Sequence, residues 1–287
     1  MTLRKRCLPS GWYPPDEAQV RAFLDRIPHK KHPRSALAAM APHAGWFYSG
    51  KIAAAAVSAL TPDADTIAVI GGHLPAGMPP LFAEEDGVAT PLGNIEIDRE
   101  FRELFRNDLA SSVFSQKTAG DRYRDNTIEV LLPMAAYFFP HARLLPFRLP
   151  GESASFEAGK SLARIGRSLG RKPAVIGSTD LTHYGAPYGF SPQGKGKQAL
   201  EWVKNMNDRA FIQAVIDGAP EQILERSDKD GSACSVGAVL GALGFAQASG
   251  ADRGELLVYG TSADEGRGDQ EIPESFVGYA AIAWRKP

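Results

Sequence analysis

The segment Leu37–Gly45, with the sequence LAAMAPHAG, gives the clearest indication of the fold class of this chain. It begins as a short apolar run over Leu37–Ala41 and passes into a turn that carries His43. Short apolar runs that end at Gly or Pro are typical of strands buried on both faces of a sheet. Three further runs of this kind are found at Thr66–Ile70, Arg143–Phe147 and Ala174–Gly177.

Helical patterns alternate with these runs. Such alternation predicts a mostly parallel or mixed central sheet flanked by helices, so the expected fold class is α/β. Residues 1–34, rich in Pro, Arg and Lys, are expected to form an extended arm with a helical turn near Asp16–Leu24. Residues 35–287 are expected to form a single domain. The predicted helices are Gly50–Leu60, Asp98–Leu109, Thr127–Phe139, Phe156–Leu169, Lys197–Asp217, Pro220–Arg226 and Cys234–Ala248, and the predicted closing strands are Glu255–Gly260 and Ser275–Trp284.

The composition argues against several classes of protein. The 287 residues include 32 basic and 33 acidic side chains, and this net charge of −1 creates no field that would attract nucleic acid or an anionic membrane. Two cysteines are too few for the disulfide framework of a secreted fold. No apolar run approaches the roughly 18 residues of a membrane span. We therefore expect a cytoplasmic protein whose partners include neither nucleic acid nor a membrane.

Histidines follow three of the predicted strands at their carboxyl ends. His43 follows the first strand, His73 follows the second, and His183 comes soon after Ala174–Gly177. Open α/β sheets bind ligands at this edge because loops and helix amino termini meet there. We expect the three imidazoles to share one pocket. The alternative is that each histidine only caps a strand or binds a loop carbonyl.

Cys234 is predicted to lie at the start of a helix, where free amide groups and the helix dipole lower the pKa of a thiol. Two imidazoles and one thiolate make a good site for zinc, copper or iron, with positions left open for water, substrate or dioxygen. The alternative is that Cys234 is a small residue of the core.

Polar residues near these positions offer acid–base and substrate-binding groups. Asp180 lies three residues before His183, and a carboxylate beside an imidazole orients the ring and raises its pKa; Asp180 could equally be a helix N-cap. The segment Asn126–Glu129 (NTIE) resembles a capping box, so its glutamate is either structural or directed into the pocket. Arg122 and Arg124 could bind an anionic substrate or remain solvated.

Four blocks of the sequence resemble the Memo family, also called the AmmeMemoRadiSam system protein B family. The resemblance extends from about Ser35 to Trp284. This family is similar in fold to class III extradiol ring-cleaving dioxygenases, so the resemblance implies a metal pocket in a sheet flanked by helices. The blocks are Ala41–Gly50 (APHAGWFYSG), Ile128–Pro133 (IEVLLP), Ser178–Gly185 (STDLTHYG) and Phe276–Ala281 (FVGYAA).

The resemblance also implies roles for individual residues. It assigns one transition metal ion, Fe(II) or copper with zinc as a third candidate, to His43, His73 and Cys234. It assigns acid–base catalysis to His183, with Asp180 beside it. Two departures from the family pattern are Asn126, where a histidine is frequent, and Ser235, where a glycine is usual. The residues expected to bind substrate are Tyr48, Arg122, Arg124, Asn126, Glu129 and Tyr184.

Three functions are consistent with these residues. The leading hypothesis is a metal-dependent, extradiol-dioxygenase-like redox enzyme that acts on a small organic substrate. The second is a non-catalytic metal- or peptide-binding protein, for which the resemblance implies a radical-SAM protein and an AMMECR1-domain protein as partners. The third is a hydrolase in which His183 activates Cys234 as a nucleophile, but it leaves His43 and His73 without a role.

Overall fold

The computed structural model describes residues 1–27, 33–115, 117–122, 125–264 and 272–287. Over these ranges the chain forms a mixed α/β structure, which confirms the predicted fold class. In chain order the strands are β1 Leu3–Arg4, β2 Ala36–Ala41, β3 Thr66–Leu74, β4 Leu81–Phe82, β5 Gly87–Thr90, β6 Gly93–Glu96, β7 Ala119–Gly120, β8 Arg143–Pro150, β9 Pro173–Ser178, β10 His183–Tyr184, β11 Gly254–Thr261 and β12 Phe276–Arg285.

Helices connect most of these strands. Two π-helical turns, Leu109–Val113 and Val203–Asn207, continue or join α-helices, and two short 3₁₀ turns lie at Ala186–Tyr188 and Ser262–Asp264. In chain order the α-helices are α1 Glu17–Leu24, α2 Trp46–Ser58, α3 Arg99–Asp108, α4 Asn126–Glu129, α5 Leu132–Phe138, α6 Ala154–Ser168, α7 Lys197–Trp202, α8 Asp208–Asp217, α9 Pro220–Asp230 and α10 Val236–Ala248.

A mixed sheet, nine-stranded within the described part of the chain, forms the centre of the fold. Its strand order is β10-β12-β2-β9-β3-β8-β4-β7, and β11 also pairs with β12. The central strands β2, β9, β3 and β8 are parallel, whereas β12 runs antiparallel to the strands beside it and β4 runs antiparallel to β8 but parallel to β7. The carboxyl ends of β2, β9 and β3 therefore meet at one edge of the sheet, the expected position of a ligand site.

Helices cover both faces of the sheet. Successive residues of β3 point to opposite faces, so that Ile67 and Val69 pack in one apolar cluster while Ala68 and Ile70 pack in the other. Helices α1, α2 and α5 contribute to the first cluster, and α3, α6, α8 and α10 contribute to the second. The result is a three-layer arrangement in which the central strands are buried on both sides, as their continuous apolar sequences predict.

The N-terminal residues pack onto this framework. Strand β1 pairs in parallel with β5, which in turn pairs with β6 in an antiparallel hairpin. Helix α1 begins after Asp16, whose side chain accepts a hydrogen bond from the amide of Gln19. Val20 and Leu24 of this helix are buried in the first apolar cluster.

Several predicted helices differ in their bounds. The segment Thr127–Phe139 holds two short helices, α4 and α5, and Lys197–Asp217 holds α7 and α8 joined by the π-helical turn. The predicted capping box is wrong: Asp125 is the N-cap of α4, and its side chain accepts from the amide of Thr127. Helix α10 begins at Val236, two residues after Cys234.

No helix in the parts of the chain that the structure describes is long and apolar enough to cross a bilayer.

Candidate metal centre

Two histidines and a cysteine meet at the carboxyl edge of the central sheet. His43 lies two residues after β2, His73 lies near the end of β3, and Cys234 lies two residues before α10. One ligand atom from each residue lies within 4.8 Å of the other two. The His43–His73–Cys234 group could therefore hold one metal ion.

The loop that carries Cys234 is fixed by its neighbours. The amide of Cys234 donates a hydrogen bond to the carbonyl of Asp180 over 3.3 Å, and the amide of Ser235 donates to the hydroxyl of Thr179 over 3.1 Å. Gly72 allows β3 to approach this loop, since a Cβ at this position would lie 2.3 Å from the Cβ of Ser235. These contacts bring the sulfur of Cys234 next to the end of β3.

His43 is almost fully buried and is held on both sides of its ring. Its Nδ1 lies 2.9 Å from the hydroxyl of Ser178, and its Nε2 lies 3.3 Å from Sγ of Cys234. The backbone amide of His43 donates to Oδ1 of Asp180 over 2.7 Å. With Nδ1 engaged by Ser178, Nε2 is the atom that faces the sulfur and is available to a metal.

His73 has an unusual backbone conformation. Among the described residues it is the one non-glycine residue with a positive φ, at 56°. Conformations of this kind are costly and tend to occur at functional sites. Nδ1 of His73 lies 3.3 Å from Oδ2 of Asp125, and the same oxygen accepts from the buried guanidinium of Arg148 over 3.0 Å. Asp125 thus orients the ring and leaves Nε2 free to bind a metal.

The three groups change one another's protonation. Burial alone would raise the pKa of the Cys234 thiol, but His43 and His73 hold it well below its usual value. Burial alone would lower the pKa of His73, but hydrogen bonds with Asp125 and Cys234 raise it to about 10. Burial also opposes the charged form of His43, yet Asp180 and Cys234 hold its pKa above the ordinary value. The arrangement therefore favours a thiolate next to positive charge.

Asp180 and His183 lie beside the His43–His73–Cys234 group. Oδ2 of Asp180 is 3.9 Å from Nε2 of His43 and 4.0 Å from Nε2 of His183. Burial raises the pKa of the Asp180 carboxyl above its ordinary value, and the nearby His43 acts in the opposite direction. The ring of His183 is partly exposed and packs 5.0 Å from that of Tyr188. The Asp180–His183 pair could therefore bind and release a proton next to His43.

An open cleft leads to these residues. Its lining contains Asp180 and His183, and most of its remaining surface is aromatic or small and polar. The N-terminal residues form one wall, because Trp12 lines the cleft and its carbonyl accepts from the amide of Trp46 over 2.7 Å. A flat organic molecule fits such a surface. The aromatic lining residues are Trp12, Tyr48, Tyr188, Phe276 and Tyr279.

Two of the residues expected to bind substrate lie in the cleft. Tyr48 is half-exposed in its lining. Asn126 also lines the cleft, and its side-chain amide donates to the carbonyl of His43 over 3.1 Å. Asn126 therefore connects the start of α4 to the loop of the first histidine.

The other expected substrate-binding residues lie elsewhere. Arg122 is exposed and pairs with Glu84 over 3.3 Å. Tyr184 is fully buried, and its hydroxyl donates to the carbonyl of Gly194. Glu129 is also buried, and of its two expected roles it has the structural one: it binds the N-terminal residues. Arg124 lies outside the described residues.

Glu129 anchors the N-terminal residues. Its carboxylate accepts from the amides of Cys7 and Leu8 and from the hydroxyl of Tyr13, at distances between 2.8 and 3.0 Å. The thiol of Cys7 also donates to it over 2.7 Å. Burial and the hydrogen bond with Glu129 raise the pKa of Tyr13 to about 12, against the opposing effect of Arg6. Glu129 thus holds in place the N-terminal segment that forms one wall of the cleft.

The imidazole next to the thiol of Cys234 is not the one that the hydrolase hypothesis requires. That hypothesis requires His183 next to the sulfur, whereas the imidazole whose nitrogen lies 3.3 Å from the sulfur is that of His43. Sequence reasoning also missed Ser178 and Asp125, the residues that orient the rings of His43 and His73. Asp125 could have been found as the N-cap of the helix that follows it, and Ser178 as the last residue of β9.

Comparison with known proteins places this geometry in a family. Residues 4–283 match a family model described as Memo-like protein. A MEMO1 family protein of Methanosarcina barkeri is 35% identical over 288 residues, covering 98% of this chain and 99% of the relative. A MEMO1 family protein of Methanococcoides burtonii is 34% identical over 250 residues, covering 86% of this chain and 85% of the relative.

A solved structure also resembles the fold. The crystal structure of an uncharacterized protein from Escherichia coli K12 aligns with a TM-score of 0.52 at 12% identity, covering 85% of this chain and 98% of that one. At this identity the likeness concerns the fold alone.

Proposed function

The chain belongs to the Memo-like protein family, and from this premise we propose that it is a metal-dependent redox enzyme, similar to extradiol dioxygenases, that acts on a small aromatic molecule. One observation carries the proposal: His43, His73 and Cys234 could hold a metal ion, and Asp180, whose Oδ2 lies 3.9 Å from Nε2 of His43, lines an aromatic cleft together with His183. A metal group, a proton-transfer group and a surface for a flat substrate thus lie together.

The donor set fits a transition metal. Imidazole nitrogens and a thiolate are soft or borderline ligands, which favour iron, copper or zinc over magnesium or calcium. Three protein ligands leave further coordination positions open, as in catalytic rather than structural sites. Nδ1 of each imidazole lies against another side chain, Ser178 for His43 and Asp125 for His73, which is the usual support of a metal-binding histidine. We propose Fe(II) or copper, with zinc as the third candidate.

The residues around the group suit proton transfer and substrate orientation. A bound iron or copper ion would supply a Lewis acid and a redox partner for dioxygen. His183 faces the cleft and could take a proton from a substrate hydroxyl and return it to the product. Asp180 stabilises the imidazolium that forms and ties His183 to the His43 loop. The rings of Tyr48 and Tyr188 would hold the substrate flat at the mouth of the cleft.

Metal analysis of the purified protein tests the first part of the proposal. We expect about one metal ion per chain in the wild type and its loss in His43→Ala and Cys234→Ser. Cys7→Ser is the matched control, because Cys7 is the other cysteine and lies against Glu129 rather than at the His43–His73–Cys234 group. A metal content that is unchanged in Cys234→Ser would contradict the proposed ligand set.

Oxygen uptake with a panel of catechols tests the second part. We expect turnover in the iron- or copper-loaded wild type, and His183→Gln should retain the metal while its turnover falls by about 100-fold. Stoichiometric metal without any oxygen uptake would instead support the non-catalytic alternative, a metal- or peptide-binding protein that works with radical-SAM and AMMECR1-domain proteins. Metal-free protein whose thiol alkylates rapidly would contradict both.

A further inference from the structure

A buried carboxylate lies behind the turn that carries Asp180 and His183. Asp208, the first residue of α8, is fully buried, and no Lys, Arg or His nitrogen of the described residues lies within the 4.0 Å of an ion pair. Its carboxylate accepts hydrogen bonds from the amide of Thr182 over 3.1 Å, from the hydroxyl of Thr182, and from the hydroxyl of Tyr259 over 2.8 Å. A buried carboxylate without a cation is costly to the folded state.

The carboxylate fixes Thr182, the residue directly before His183. Thr182 uses both its amide and its hydroxyl to bind Asp208, and its carbonyl accepts from the amide of Gly278 over 3.0 Å. Gly278 has no space for a side chain, because a Cβ would lie 1.9 Å from Oδ2 of Asp208. Strand β12 can therefore lie directly against the carboxylate, and the turn is held between them.

The residue before Asp208 extends the same contact to the cysteine loop. The side-chain amide of Asn207 donates to the hydroxyl of Thr182 over 2.9 Å and to the carbonyl of Asp230 over 3.0 Å. Asp230 ends α9, and the chain reaches Cys234 four residues later. Asn207 is also the last residue of the π-helical turn, a feature that is frequent at functional sites. The two side chains thus connect the His183 turn with the loop of a metal ligand.

We propose that Asp208 is a positioning residue that, through Thr182, sets the placement of the His183 ring over the cleft. The inference rests on the proposed function, in which His183 moves the proton, but the placement of the ring is a structural property that can be measured without turnover. Asp208 itself is neither a lining residue of the cleft nor a member of the His43–His73–Cys234 group, so it acts through the turn.

The experiment compares three variants of the same buried network. Asp208→Asn and Thr182→Val weaken the contact with the turn, whereas Tyr259→Phe removes the hydrogen bond to the other oxygen of the same carboxylate, Oδ2. The ¹H–¹³C signal of the His183 ring, assigned with His183→Gln in metal-free protein, reports its orientation because the nearby Tyr188 ring shifts it. The exposed His141 serves as an internal reference.

We expect Asp208→Asn and Thr182→Val to shift the His183 signal and Tyr259→Phe to leave it at the wild-type position. If Asp208→Asn does not fold, Thr182→Val decides. The proposal is overturned if the signal stays in place in both turn variants, or if Tyr259→Phe moves it equally, since the carboxylate would then serve only the stability of the core.

Kinetics add a second readout if the proposed function holds. We expect kcat for oxygen uptake to fall by about tenfold to 100-fold in Asp208→Asn and Thr182→Val, while KM stays within about twofold. Tyr259→Phe should retain the wild-type kcat. If the wild type consumes no oxygen, the proposed function fails, and the position of the His183 signal alone decides the role of Asp208.

Discussion

Asp125 gives a direct test of how one side chain supports a metal ligand. It lies 3.3 Å from Nδ1 of His73, and this contact opposes rotation of the ring away from Cys234. Outer hydrogen bonds of this kind are typically responsible for about 10-fold to 100-fold in metal affinity. We therefore expect Asp125→Asn to weaken zinc binding by about that factor, measured by competition with a chelator.

The control for this prediction is Glu84→Gln. Glu84 forms its ion pair with Arg122 at an exposed position, so its loss should leave the affinity for zinc unchanged. Equal affinities in Asp125→Asn and the wild type would show that the ring of His73 is fixed by its backbone alone.

Asp208 predicts a pH dependence of stability. Burial raises the pKa of this carboxyl to about 6, against which the hydrogen bonds from Thr182 and Tyr259 act, whereas the unfolded chain has the ordinary value near 3.8. Below about pH 4 the group is protonated in both states; between about pH 4 and 6 only the unfolded chain ionises. The free energy of unfolding should therefore fall by about 3 kcal/mol as the pH rises through this window.

Asp208→Asn should remove this part of the pH dependence. Urea unfolding gives the free energy of unfolding of the variant and of the wild type at about pH 4 and about pH 7. The difference between the two proteins is then compared at the two pH values. The exposed Asp217, which pairs with Arg253, provides the control variant Asp217→Asn. A difference that is the same at both pH values would mean that Asp208 is ionised in the folded protein even at the lower pH.

The four central strands β2, β9, β3 and β8 were predictable because they are buried on both faces. Strand β2 is instructive, since its sequence ALAAMA favours a helix by intrinsic propensity. Its place between β12 and β9 satisfies its backbone on both edges, and tertiary pairing decides its structure. Strands β4, β7 and β10 have two residues each, too few to show any period.

The π-helical turn in Lys197–Asp217 was missed because a helical pattern does not show where one extra residue is inserted.

The candidate site was predictable to the extent that it follows the parallel strands. His43, His73 and His183 were found because each lies at or beyond the carboxyl end of a strand. Asp208 and the N-terminal wall lie on segments that contact the site only after the chain has folded. Tyr184 shows the converse error, since it lies next to His183 but alternates to the other side of β10 and into the core.

The packing of α6 on α10 predicts a large effect of a single methyl group. A Cβ at Gly159 would lie 2.0 Å from the carbonyl oxygen of Gly241, and backbone atoms cannot yield as a flexible side chain can. We expect Gly159→Ala to lower the free energy of unfolding by about 3 kcal/mol, although alanine favours helices more than glycine does. Ser168→Ala, at the exposed end of the same helix, should change stability by less than about 0.5 kcal/mol.

Denaturant unfolding of the two variants makes this comparison. A Gly159→Ala protein as stable as the wild type would show that α6 and α10 can move apart without loss. Because α10 follows directly after Cys234, such a shift would also change the His43–His73–Cys234 group, and metal content should be measured in the same preparation.

The molecule as a whole places its candidate metal ligands and its cleft wall on different parts of the chain. His43, His73 and Cys234 depend on β2, β3 and α10, which belong to the central sheet and its helices. The wall with Trp12 depends on the N-terminal residues, which are held by Glu129 and by the pairing of β1 with β5. Metal binding and substrate binding should therefore be separable.

Removal of residues 1–13 tests this separation. The truncated chain loses the donors to the buried carboxylate of Glu129, so its free energy of unfolding should fall by roughly 3 kcal/mol or more. It should still bind metal with the wild-type stoichiometry, whereas its affinity for a catechol probe such as 4-nitrocatechol should fall because the wall with Trp12 is gone. Glu129→Gln, which retains one acceptor oxygen, should show a smaller loss of stability. Loss of metal from the truncated chain would contradict this separation. It would mean that the N-terminal residues act on the His43 loop through Glu129 and Asn126, which both belong to α4.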